Sequence, residues 1–241
     1  MASTAFVHYL PIATTLFAAL FAFVLLDRYR EKGGAHLAWW GAGAIAYGVG
    51  TFVEAYTTLF GWHEWSFRTW YIAGALLGGM PLAQGTVYLL LPRRTAHVLT
   101  AIVIPFVAFA SFFVLLSPID AAQVEPHRLA GRVLEWSWVR LFSPFLNLYA
   151  VVFLIGGAIV SAIRYLRGPG ARHRVIGNAL IAIGAILPGI GGGFARAGYT
   201  EVLYVTELVG LVGIYWGYWA NVLGAPTPKD DAAALVAPSR A

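Results

Sequence analysis

Two acidic side chains stand in apolar surroundings: Glu54 within GVGTFVEAYTTLFGW (48–62) and Glu207 within YTEVLYVTELVG (199–210). A carboxylate inside a bilayer costs about 3 kcal/mol on insertion scales, so such a residue is read first as handling a proton, an ion or a ligand. The plainer reading is that each acid is protonated, or pairs with Arg196 or Arg68, and only fixes helix positions. Two carboxylates that approach each other in a dry site repel, and the pair would then hold a proton.

Spacing sets the direction in which these acids point. Gly43, Tyr47, Gly50, Glu54 and Thr58 follow steps of three and four, as do Tyr204, Glu207, Gly210, Ile214 and Gly217. Each acid thus shares a helical face with small and polar residues, the composition that packs against other helices rather than lipid. At 1.5 Å per residue, both acids lie roughly 10 Å below the same end of their segments.

A third segment brings unusual backbone to that level. ILPGIGGGFARAG (186–198) carries Pro188 with Gly189, Gly191 and Gly192, and Arg196 lies just above. Pro188 has no N–H for the carbonyl of Gly184, so a kink or an unwound turn is expected there. The expected site is therefore a polar pocket of Glu54, Glu207, Arg196 and Tyr204 beside a broken helix. Asn147 in SPFLNLY (143–149) is placed to edge it. Gln84 lies deeper, as glue between helices or as a ligand contact.

Other chemistries are excluded or lack residues. The chain has no Cys, which removes disulfides, thiol catalysis and thiolate metal sites. The six His are scattered, and His63–Glu64 lacks the second His of a metal helix, so no metal and no cofactor is expected. The lysines, Lys32 and Lys229, lie outside every apolar segment, which leaves retinal without an attachment point. No G-x-S-x-G, H-E-x-x-H or P-loop occurs, and no residue is assigned a catalytic role.

The elements that must position these residues are membrane helices. Of 241 residues 59% are hydrophobic and only 11% charged, against roughly 25% charged in soluble domains. Apolar stretches near 5–26, 37–60, 70–92, 97–117, 144–163 and 201–224 reach the length of a bilayer crossing, and 175–196 adds a glycine-rich seventh. Open strands cannot cross lipid, so the expected fold is all-α, a polytopic seven-transmembrane helix bundle over residues 1–224. The remainder, 225–241, mixes Pro, Ala and charge without a core pattern and is expected to be a disordered cytoplasmic tail.

Of the 16 Lys and Arg, eleven fall on one side of this arrangement and five on the other. The bias of basic residues toward the cytoplasm puts the N-terminus outside and the C-terminus inside the cell membrane. The net charge of +5 is explained by this topology, and no nucleic-acid partner is expected. In the longest loop, 118–143, Trp136 and Trp138 are expected at the outer headgroup level. Trp62, Trp65, Trp70 and Tyr71 are read as an outer aromatic belt, and Tyr215, Trp216, Tyr218 and Trp219 as the inner one.

A shift of 136 residues lays Ala22, Arg28, Gly41 and Gly48 on Ala158, Arg164, Gly177 and Gly184. The echo is compatible with 3+1+3 parallel repeats, or with chance identity among common membrane residues.

HLAWWGAGAIAYGVGTFVEAY, followed by FRTWYIAGALLGGMPLAQGTVYLLLPRR, resembles spans 2 and 3 of the seven-helix sensor regions of some bacterial histidine kinases. The resemblance covers about a quarter of the chain and implies a non-enzymatic sensor or regulatory module. No kinase or cyclase segment follows span 7, so a stand-alone module acting on a separate cytoplasmic or membrane protein is expected. A small-solute transporter, with proton coupling by the two acids, and a structural subunit of a membrane complex are the competing readings.

Overall fold

A computed structural model describes residues 6–167 and 172–223. The expected tail, 225–241, lies outside the described residues. Among these the chain is helical and has no strand, only isolated bridges between Ile119 and Leu134 and between Glu125 and Arg128. Seven long helical segments follow one another: α1 (Leu10–Lys32), α2 (Ala35–Phe60), α3 (Glu64–Leu90), α4 (Arg93–Leu116), α5 (Ser137–Leu166), α6 (Arg172–Arg196) and α7 (Thr200–Leu223). Six of them are long and apolar enough to cross a membrane. This makes the chain an integral, multi-pass membrane protein. The exception is α2, whose 26 residues include four Gly, two Trp, two Tyr and Glu54, which lower its hydropathy.

Neighbouring contacts run α1–α2, α2–α3, α3–α5, α5–α6, α6–α7 and α7–α1 and close a ring, with α4 outside against α3. The α1–α2 turn needs only Gly33 and Gly34, whose φ values of 67° and 99° belong to the left-handed side that side chains avoid. The two helices then run antiparallel, with Gly48 against Ala18 and the Thr15 and Thr51 hydroxyls 3.0 Å apart.

The tightest pair is α6–α7. Gly177 faces Gly217, Gly184 faces Gly210, and Gly191 faces Leu203; a Cβ at Gly184 would come within 2.5 Å of the Gly210 carbonyl oxygen. The glycines recur every seven residues, so they return to the same face and bring two backbones together. Gly41 and Gly48, which match Gly177 and Gly184 in the 136-residue echo, instead face α1. The matched glycines therefore do different packing work.

This packing corrects the expected break at Pro188. Helix α6 is continuous from Arg172 to Arg196 with Pro188 inside it, and no turn is unwound. The proline ring lies against Gly210, where a side chain would collide, and the Gly184 carbonyl that Pro188 leaves free faces a Cα–H of Gly210.

The irregular backbone lies elsewhere. In α3, a π-helical stretch Tyr71–Leu76 is followed by non-helical Leu77–Gly79 before the helix restarts at Met80. Pro81 occupies the first turn of the restarted helix, where its missing N–H costs nothing. In α5, Val151–Ile155 is π-helical as well.

Candidate functional site

The crossing of α2 and α3 positions the first acid. Gly50 and Gly74 meet so closely that a Cβ on Gly50 would lie 3.2 Å from the Gly74 Cα. One turn along each helix, Trp70 donates its indole N–H to Oε1 of Glu54 at 2.7 Å. Glu54 is only 4% exposed. Helix α7 supplies the second acid and is tied to α2 by Tyr47, whose hydroxyl donates to the backbone carbonyl of Glu207 at 3.0 Å.

Glu54 and Glu207 line one and the same cavity. The Oε2 atoms of both acids are shielded from solvent and receive no bond from any donor. Tyr47 and Tyr204, both buried, line the same cavity as the two acids. Among the described residues neither acid forms an ion pair. Arg68 is committed elsewhere: it pairs with Glu64 at 2.7 Å and donates to the carbonyls of Val114 and Ser117. Arg196 contacts neither acid.

Both acids open into a cavity of about 910 Å³ inside the ring. Leu82, Leu154 and Ile214 form its floor and belong to a packed apolar cluster with Phe21, Trp40 and Tyr218. Pro188, Gly189 and Gly192 line one wall. A Cβ at Gly189 or Gly192 would meet nothing within 4 Å, so these glycines leave the cavity wide, whereas Gly191 faces α7. Asn147 lines the α5 wall and donates to Ser143, whose hydroxyl in turn donates to the carbonyl of Ala75 at 2.8 Å, in the π-helical part of α3.

At the other end the cavity reaches the segment 117–136, which is folded as a cap. Asp120 N–H donates to Val133 O at 2.9 Å, Trp136 N–H to the Ser117 hydroxyl at 3.2 Å, and Trp62 N–H to Pro126 O at 2.7 Å. Arg128, Arg132, Arg140 and Arg196 line this mouth. Arg128 and Arg132 share Glu125, and Arg128 also donates to the Ala195 carbonyl. Arg140 and Arg196 form no ion pair among the described residues.

Of the residues expected at the site, Glu54, Glu207, Tyr204, Asn147 and Arg196 all line one cavity, with Arg196 at its mouth. The expected aromatic belts need correction. Trp70 and Tyr71 turn inward, and Tyr71 is buried. At the opposite end Tyr215 and Tyr218 pack on Phe21 of α1, and of that quartet Trp216 is the one with a largely exposed side chain, at 59%. The mouth arginines Arg128 and Arg132 were not legible as site residues, since only the folding of the cap brings them over the ring, where Arg140 joins them from the start of α5. Gln84 is glue: its amide donates to Ala96 O at 3.2 Å and Thr100 at 2.7 Å and accepts from Tyr149.

No protein-family model matches the chain, and no curated protein matches it either.

Proposed function

We propose that this chain is a non-enzymatic, seven-span binding module of a bacterial inner membrane. Its cavity faces outward, and it passes occupancy on as helix movement, as a sensor or regulatory subunit does. In this reading α2 is a seventh span, its polar face turned to the cavity and its apolar face to lipid. The N-terminus lies outside and the tail inside. The observation that carries the proposal is that buried Glu54 and half-buried Glu207, each with an Oε2 atom that has no hydrogen-bond partner, line one cavity closed at its floor. Buried polar groups without partners are costly unless a ligand or proton satisfies them. Likeness of spans 2 and 3 to histidine-kinase sensor regions favours the same reading. Its partner would be a protein contacting the basic residues of 28–32 and 164–174; a pull-down from native membranes that recovers none would count against it.

Because the chain has no Cys, one introduced thiol reports on the cavity alone. Asn147→Cys in oriented vesicles should react with a membrane-impermeant thiol reagent added outside and not inside. Labelling from neither side would overturn the proposal. A second reading, a proton-coupled transporter, draws on the irregular backbone of α3 and α5 beside the cavity. It requires labelling from both sides and solute flux in proteoliposomes. As a structural subunit, the protein would tolerate Gln at both acids without effect.

A further inference from the structure

The cavity carries opposite charges at its two ends, and this narrows the ligand. At the deep end, Oε1 of Glu54 is taken by Trp70 and the Tyr47 hydroxyl by a backbone carbonyl, while the Oε2 atoms of both acids have no hydrogen-bond partner. Two acids make this end of the cavity acidic, and among the described residues neither pairs with a basic side chain. Trp70, Tyr47 and Tyr204 line the same pocket, and aromatic faces attract a cation. A primary ammonium brings one positive charge and three N–H donors, the complement of this end.

At the mouth, Arg140 and Arg196 have no carboxylate partner among the described residues. Guanidinium groups in that state favour a carboxylate or phosphate. The register of α6 against α7 puts Arg196 level with the start of α7. Glu207 then lies about two and a half turns deeper, roughly 13 Å along the axis. Part of that span is covered by the two side chains, and the remainder must be covered by the ligand.

We propose that the cavity binds a short zwitterion, its ammonium between Glu54 and Glu207 and its carboxylate or phosphate at Arg140 and Arg196. This rests on the binding-module reading and specifies the ligand class.

The test is titration calorimetry on the purified full chain in detergent. The probes are glycine, β-alanine, γ-aminobutyrate and ε-aminocaproate, with butylamine and butyrate as single-charge controls. The longer zwitterions should bind at least about tenfold more tightly than glycine or butylamine, a difference of about 1.4 kcal/mol, and butyrate should bind least. In the double variant Arg140→Gln, Arg196→Gln, the gap between γ-aminobutyrate and butylamine should close. Glu54→Gln should remove heat from all amines; Glu207→Gln serves the same purpose if that variant fails to fold. Butyrate binding as tightly as the zwitterions, sodium or calcium binding where amines do not, or no heat from any probe would each overturn the proposal. If Asn147→Cys labels from outside while these titrations fail, the ligand class is wrong and the binding module stands. If the labelling fails too, both fall.

Discussion

The indole N–H of Trp70 meets Oε1 of Glu54 at 2.7 Å, four residues beyond the point where Gly74 and Gly50 let two helices touch. Two glycines thus fix where an acid and its donor meet. Removing the donor leaves a buried acceptor bare, so Trp70→Phe should destabilise the protein by about 1–3 kcal/mol, read from unfolding in mixed micelles. A double-mutant cycle with Glu54→Gln should show coupling between the sites, because they share one bond. Additive effects would mean that the bond contributes nothing.

The glycines of α6 divide into two classes, and substitution separates them. At Gly184 a methyl would press on the Gly210 carbonyl and the backbone of Ile214. Gly184→Ala should cost about 1–3 kcal/mol as the helices part. Gly192→Ala meets open space and should be neutral, or stabilising by up to about 1 kcal/mol from helix propensity. Thermal unfolding of both variants side by side checks the contrast.

Gln84 is buried and joins α3 to α4 and α5 through Thr100 and Tyr149. Gln84→Leu leaves the Tyr149 hydroxyl and the Thr100 side chain short of a partner. A loss of about 1–3 kcal/mol is expected, with no change in cavity labelling at Asn147→Cys, because Gln84 does not line the cavity.

Arg68 clamps α3 to the end of α4 and the start of the cap by donating to the carbonyls of Val114 and Ser117. Its side chain is largely buried, so Arg68→Gln removes charge-assisted bonds worth about 1.5–3 kcal/mol in such settings. Hydrogen exchange at the amides of Asp120 and Trp136, both bonded within the cap, should quicken while exchange in α6 and α7 holds.

The helical class and the inward aim of both acids were legible, because periodicity of small and polar residues reports which face packs. The role of Trp70 was not, since a tryptophan near a span end looks the same whether it faces headgroups or a carboxyl. Pro188 misled for a related reason: whether a proline breaks a helix depends on what packs against it, here Gly210 of another segment. Pro81, with Gly78 and Gly79 before it, marked the real interruption. The signal lay in the chain but competed with a longer glycine run. The cap was illegible because its order comes from contacts between distant residues, such as Trp62 with Pro126.

The two π-helical stretches, Tyr71–Leu76 and Val151–Ile155, flank the cavity on adjoining helices. Each stores one surplus residue within an otherwise ordinary coil. Passing that surplus along the axis rotates everything beyond it by a fraction of a turn without melting the segment. With α6 and α7 fastened glycine to glycine, α3 and α5 are the members of the ring with slack to turn.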